Sequence, residues 1–157
     1  MVPEMTDCVS NNPLSAEDSV LLDNQVCFPL YSASNAVIRA YRPLLDKLDL
    51  TYSQYLVMMV LWESDGVSVK DVGARLYLDS GTLTPLLKRL EGKGLVERGR
   101  SEQDERVRVL KLTTAGVSLK SQALTVPAEM KCKIKLDLDE LLLLKKLCEK
   151  VISTLEK

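Results

Sequence analysis

Histidine is absent from the 157 residues. That absence removes Ser-His-Asp and Cys-His nucleophile pairs, the HExxH zinc motif and any His-bearing zinc finger. There are four cysteines, Cys8, Cys27, Cys132 and Cys148, and none forms a CxxC. A redox dithiol of that type and a zinc ribbon are therefore not expected, nor is any metal or other cofactor. No apolar run approaches the length of a membrane span, so no membrane partner is expected. The first residues carry Glu4 and Asp7 and lack a cationic and then apolar stretch, so no secretory signal is read there. The expectation is a cytoplasmic protein with reduced thiols. Finally, a net charge of −1 excludes a uniformly basic nucleic-acid coat but not a local basic face.

What is present is mostly helical periodicity. Residues 1–19, with Pro3, Asn11, Asn12, Pro13 and Ser15 among acids, read as a poorly ordered leader. From Asp23 to Asp46, Leu30, Ser34, Val37, Tyr41 and Leu44 recur at helical spacing. Pro29 predicts a bend or late start there, and Pro43 a second disturbance. Thr51 or Ser53 can cap a second helix, with Leu56, Met59, Val60 and Glu63 on it, that stops before Asp65-Gly66.

The middle of the chain says most. Ser68 with Asp71 three residues later has the capping-box form, and Val69, Val72 and Leu76 give a short helix one apolar face. After Tyr77-Leu78, Asp79 or Ser80 caps a helix with Leu83, Leu86, Leu87 and Leu90 at i, i+3, i+4 and i+7, ended by Gly92 and Gly94. Two short helices and a tight turn make a helix-turn-helix candidate. Leu95–Arg100 and Arg106–Leu112 then read as a hairpin with a charged tip, the wing of a winged helix. Leu110 breaks the alternation, which predicts a second strand covered on both faces near its end. Thr113 caps a helix to about Ala123, Pro127 predicts a break, and Asp137 or Asp139 starts the last helix. There Leu141, Leu144, Cys148, Val151 and Leu155 fall at heptad spacing suited to another helix or subunit.

The fold class expected is mainly α with a small β-hairpin (α+β): a winged helix-turn-helix with a helical dimerisation region. Residues 20–157 form a single domain on this reading. Dimerisation helices cover about 20–64 and 114–157, and the winged helix-turn-helix about 66–113.

Charge supports a nucleic-acid partner. Residues 66–116 hold ten bases and seven acids, which puts this segment at +3 and the remainder at −4. Opposite the leucine stripe of the second helix lie Ser80, Thr82, Thr84, Lys88 and Arg89. Short hydroxyl side chains let a helix N-terminus approach bases and phosphates closely, and the bases follow behind them. Pro85 lacks a backbone donor and offers an apolar contact to a thymine methyl. The blander alternative is a solvated charged face on a helical interaction module.

A resemblance sharpens this. The segments from Leu76 to Glu91, Leu50 to Met58 and Leu22 to Phe28, with Asp104-Glu105-Arg106 at the wing, resemble the MarR family of regulators, specifically the organic-hydroperoxide-sensing repressors of the OhrR type. The likeness covers roughly residues 20–157. It implies a homodimeric repressor, not an enzyme, on pseudo-palindromic double-stranded operator DNA. The helix from Asp79 to Glu91 would enter the major groove. Arg106, oriented by Asp104, would reach the minor groove, and Arg98, Arg100 and Arg108 would contact phosphates.

The resemblance also makes Cys27 the redox-sensing residue, with Tyr41 and Tyr52 donating to its thiolate across the dimer interface. Phenols can stabilise a thiolate where no histidine exists. Tyr31, at i+4 from Cys27, is a further candidate for the site. Cys132 matches the resolving cysteine of two-cysteine sensors, which condenses with an oxidised Cys27 of the other subunit. Cys148 reads as a small buried hydrophobe and Cys8 as incidental. The signal implied is an organic hydroperoxide. The nearest alternative is a MarR-type repressor released by a small phenolic ligand, and a thiol peroxidase is the enzymatic rival.

Overall fold

A computed structural model of the protein describes residues 15–156. They fall into two units, divided between Arg39 and Ala40.

In the first unit, Ser15 precedes a single 3-10 turn at Asp18–Val20, and its hydroxyl accepts from the Asp18 amide at 3.0 Å and donates to the Asp18 carboxylate at 2.7 Å. A second 3-10 turn follows at Leu22–Asn24. Helix α1, Cys27–Leu45, begins in this unit and ends in the second. Its start is late, as Pro29 requires. Pro29 is the third helical residue, where a missing amide costs no intrahelical bond. Val20, Leu21, Leu22, Val26, Phe28, Leu30 and Ile38 are all exposed.

The second unit holds the core. Pro43 does not interrupt α1, because only Leu44 and Leu45 follow it before a 3-10 turn at Asp46–Leu48. Thr51 caps helix α2, Tyr52–Glu63, in a full capping box. Gln54 donates its amide to the Thr51 hydroxyl and its side chain accepts from the Thr51 amide. That reciprocal pair explains why Gln54 can be buried. Of the residues noted on α2 in the sequence, only Val60 is buried. Tyr55, Val57, Met58, Val60 and Leu61 are buried, whereas Met59 is exposed and Leu56 half-buried. A helix apolar nearly all round has no stripe to read.

Helix α3, Val69–Leu76, is capped by Ser68, and helix α4, Ser80–Gly92, by Asp79. Between them Tyr77 takes a left-handed conformation with φ of 54°. Gly73 makes this tight turn possible, since a Cβ there would stand 2.9 Å from the Leu78 carbonyl oxygen and 3.3 Å from Leu83. Leu83, Leu86, Leu87 and Leu90 are buried as their spacing predicts.

The sheet is antiparallel, in the order β1-β3-β2, with β1 at Val67–Ser68, β2 at Val96–Arg100 and β3 at Arg108–Leu112. Pairing runs from Val96 with Leu112 to Arg100 with Arg108, so the second strand starts two residues later than expected. Arg106 and Val107 belong to the tip, which is closed by the Ser101 amide donating to the Val107 carbonyl at 2.9 Å. Val109 and Leu110 are both buried, and β1 pairs with β3 on its other edge through Val67–Leu110 and Ser68–Val109. Two residues are too few for any alternation, so no pattern in the chain marks β1.

Thr113 caps helix α5, Thr114–Ala123. Pro127 begins the next helix rather than bending one: α6 is Val126–Ile134, with the proline in its first turn. Helix α7, Leu138–Leu155, opens with a capping box of Asp137 and Glu140. It buries no residue, and Leu142, Leu143, Leu144, Leu147, Val151 and Leu155 are exposed. Among the described residues no helix is long and apolar enough to cross a membrane.

Candidate nucleic-acid interface and thiol site

The interface candidate rests on α4. Its buried leucines leave Ser80, Thr82, Thr84, Pro85, Lys88 and Arg89 exposed on the opposite side. The cap is firm: Asp79 accepts from the Thr82 amide at 2.8 Å and from its hydroxyl at 3.0 Å. Those bonds, the backbone one foremost, hold the Asp79 carboxyl below its ordinary range, so it is a carboxylate at neutral pH. Pro85 sits inside α4 without breaking it. Lys88 and Arg89 have no carboxylate within ion-pair distance among the described residues.

The wing supplies more cations, held in different ways. Asp104 accepts from the Arg106 amide at 3.0 Å, which fixes the turn that carries Arg106. Arg106 and Arg108 are exposed and, among the described residues, unpaired. Arg100 stands 3.8 Å from Glu105, an exposed pair of the kind that contributes little. Arg98 differs, with its Nε 2.6 Å from the Glu91 carboxylate. Glu91 was not singled out from the sequence. It lies seven positions before Arg98, across the end of a helix and a turn, and no periodicity links them.

The second constellation is aromatic. Tyr41, near the end of α1, and Tyr52, the first residue of α2, have ring centroids 4.8 Å apart. Tyr55 joins them at 6.0 Å from Tyr41 and reaches Trp62 at 6.2 Å. Tyr55 was missed in the sequence, although its i+3 spacing from Tyr52 was available as a signal. Burial, then the neighbouring phenols, push Tyr41 up to about 12, and burial also raises Tyr52 and Tyr55. All three phenols thus keep their protons at neutral pH and remain donors. Among the described residues, neither the Tyr41 nor the Tyr52 hydroxyl makes a hydrogen bond within the chain.

The described cysteines, Cys27, Cys132 and Cys148, are free thiols. Cys27 is exposed at the first position of α1, and Tyr31 is exposed one turn further on. Cys132 is exposed on α6. Cys148 is half-buried on α7, less covered than a small core hydrophobe would be. Cys8 lies outside the described residues. No group of three metal-ligating side chains occurs among the described residues.

Comparison with known proteins settles the class. A family described as transcriptional regulator SarA/Rot matches residues 39–123, over half the chain. The organic hydroperoxide resistance transcriptional regulator of Bacillus subtilis is 52% identical over 110 residues, covering 70% of this chain and 75% of that one. The chain belongs to the MarR/SarA family of transcriptional regulators. The HTH-type transcriptional regulator TtmR of Methylorubrum extorquens is 51% identical over 124 residues, which are 79% of this chain and 64% of TtmR. The chain thus spans a little under two thirds of that relative. Among solved structures, reduced AbfR bound to DNA matches with a TM-score of 0.70 at 34% identity, covering 87% of this chain and 95% of AbfR. AbfR, from Staphylococcus epidermidis, is also known overoxidised on DNA and in a disulfide form. These relatives are transcriptional regulators, and the winged-helix fold expected from the sequence is the one they share.

Proposed function

We propose that this MarR/SarA-family member is a cytoplasmic, homodimeric repressor that binds double-stranded operator DNA and leaves it when Cys27 is oxidised by an organic hydroperoxide. In this reading α4 lies in the major groove, presenting Ser80, Thr82, Thr84 and Pro85 to base edges, with Lys88 and Arg89 toward phosphates. Arg106 reaches into the minor groove from a turn braced by Asp104. The exposed apolar residues of α7 and of the first unit supply the surface a second subunit would cover.

The redox half is carried by one observation: two adjacent phenols, Tyr41 and Tyr52, that hold their protons and lack acceptors among the described residues. A thiolate from the partner subunit is an acceptor for both. The Cys27 thiolate attacks the peroxide oxygen, the O–O bond breaks, and the alkoxide takes a proton to leave as an alcohol. Cys27 is left as a sulfenic acid. The thiol of Cys132 from the partner subunit then displaces its hydroxyl as water, and an intersubunit disulfide forms.

Magnitudes favour both steps acting together. Converting a repressor from roughly 99:1 bound-competent to 1:99 takes about 5.5 kcal/mol. Two hydrogen bonds to a charged group contribute about 1.5–3 kcal/mol each. Their loss approaches the requirement, and the disulfide adds a geometric constraint. Footprinting on operator DNA with and without cumene hydroperoxide tests this. Cys27→Ser is expected to stay bound at every peroxide dose, and Cys132→Ser to give a partial, readily reversed release. Normal release of Cys27→Ser would refute the sensor assignment.

One feature supports a second reading, release by a small apolar or phenolic ligand. A cleft of about 360 Å³ lies in the second unit, lined by Tyr55, Met59, Trp62, Lys120, Leu124 and Pro127 among others. Release by a non-oxidising phenol in the presence of reductant would favour that reading over thiol chemistry.

A further inference from the structure

Arg98 and Arg108 line one cleft of about 440 Å³ together with Val69, Thr84 and Glu91. The register puts them on the same face of the hairpin, since Arg98 pairs with Leu110 and Arg100 with Arg108. Their surroundings differ. Arg98 follows the buried Val96 by two residues and stands opposite Leu110, which is fully buried. It is also held twice by one carboxylate: its Nε at 2.6 Å from one oxygen of Glu91, and its backbone amide donating to the other at 3.2 Å. Glu91 is the penultimate residue of α4. Side chain and backbone of β2 are therefore fastened to the end of the helix that carries the base-reading face. The side chains of this pair are each about one third exposed, at 32% and 28%. Arg108, nearer the tip, is exposed and unpaired among the described residues.

We infer that Glu91 is a positioning residue for DNA binding. Through Arg98 it sets the angle of the wing against α4, so Arg98 is an internal strut and Arg108 is the phosphate contact of this cleft. The inference rests on the DNA-binding reading above and divides three wing arginines that the sequence treated alike. A phosphate contact and a strut differ in what salt does to them. Each neutralised phosphate adds about 0.9 to the slope of log affinity against log salt. A strut adds nothing to that slope but costs affinity where both wing and helix must register on the duplex.

The test uses the full-length dimer and a short duplex selected from a random pool by the unmodified protein, with an unselected duplex beside it. Affinity is read by fluorescence anisotropy across a salt series, and helix content and thermal midpoint are checked for each variant. Arg108→Gln should flatten the slope by about two per dimer on both duplexes. Arg98→Gln and Glu91→Gln should leave the slope intact or steeper. Each should weaken binding to the selected duplex roughly tenfold, comparable to one mismatched base pair, with little change on the unselected one. Combining the two should cost no more than either alone. Arg98→Lys keeps the charge but not the planar Nε–H, so it should behave like Arg98→Gln. If instead Arg98→Gln flattens the slope as Arg108→Gln does, or Arg98→Lys binds normally, the strut is overturned and DNA binding stands. If the unmodified protein shows no salt dependence on either duplex, the DNA-binding reading falls with it. Should an Arg98 variant lose its fold, Glu91→Gln alone still decides.

Discussion

The winged helix-turn-helix and the C-terminal helix α7 are built from similar leucine-rich sequence and end in opposite states. In α4 the leucines at 83, 86, 87 and 90 are buried within the chain, and each capping group has its partner. In α7 the cap is equally complete, yet six large apolar side chains between Leu142 and Leu155 are exposed. The core of the winged helix-turn-helix is thus finished by one chain, while α7 presents a surface that a single chain leaves uncovered. On the proposed homodimeric reading, that division gives a fixed reading head and a helical interface whose geometry can change.

Core truncation should separate the two regions most strongly. Leu87 is 1% exposed, so Leu87→Ala should destabilise the fold by about 2–5 kcal/mol, with a cavity term added to the lost transfer energy. Calorimetry would show a lower midpoint, and DNA binding would fail with it. A change below about 1 kcal/mol would mean that the core around α4 is far more forgiving than its burial implies.

The reverse behaviour is expected in α7. Leu144 is 47% exposed, so Leu144→Ala should barely alter folding of the single chain. If this face is the dimer interface, the same change removes from each subunit roughly half of the ~1.5–3 kcal/mol of full leucine burial, about tenfold or more in the dimer constant over both subunits. Sedimentation equilibrium read beside circular dichroism would show weaker dimers with unchanged helix content. Unchanged dimers would place the interface elsewhere.

The same contrast explains what could be read in advance. The cap-and-stripe pattern of α4 was legible because one face is buried and the other is polar, so period and burial coincide. For α2 no face could be read: the helix is apolar nearly all round, and of Leu56, Met59, Val60 and Glu63 only Val60 is buried. Strand β1 was invisible at two residues. Pro127 was legible as a break but not as a beginning, which depends on where the next helix starts. At the candidate site, the hydroxyls and cations of α4 could be read from the chain alone. The pairing of Tyr41 with Tyr52 came only through resemblance, and the clamp of Glu91 on Arg98 not at all, because each depends on contacts between separate elements.

The smallest effect at neutral pH concerns Tyr41, and its sign can be stated. Its proton is held more tightly in the folded chain, with a pKa of about 12, than in an unfolded chain, near 10. The contribution to stability is therefore fully present below pH 10 and is lost as pH climbs toward 12. Tyr52 and Tyr55 shift in the same direction, so the aromatic cluster as a whole should loosen only under alkali. Phenolate absorbance should show a late-titrating fraction that diminishes in Tyr41→Phe. At pH 7 that variant should fold and bind DNA almost as the unmodified protein does, because the protonated phenol is a donor without a partner among the described residues. Its deficit should appear only where a thiolate from the other subunit needs that donor, as a slower reaction of Cys27 with hydroperoxide. A Tyr41→Phe variant that titrates normally yet reacts at full speed would leave the tyrosine pair as interface packing and remove the donor role from the mechanism.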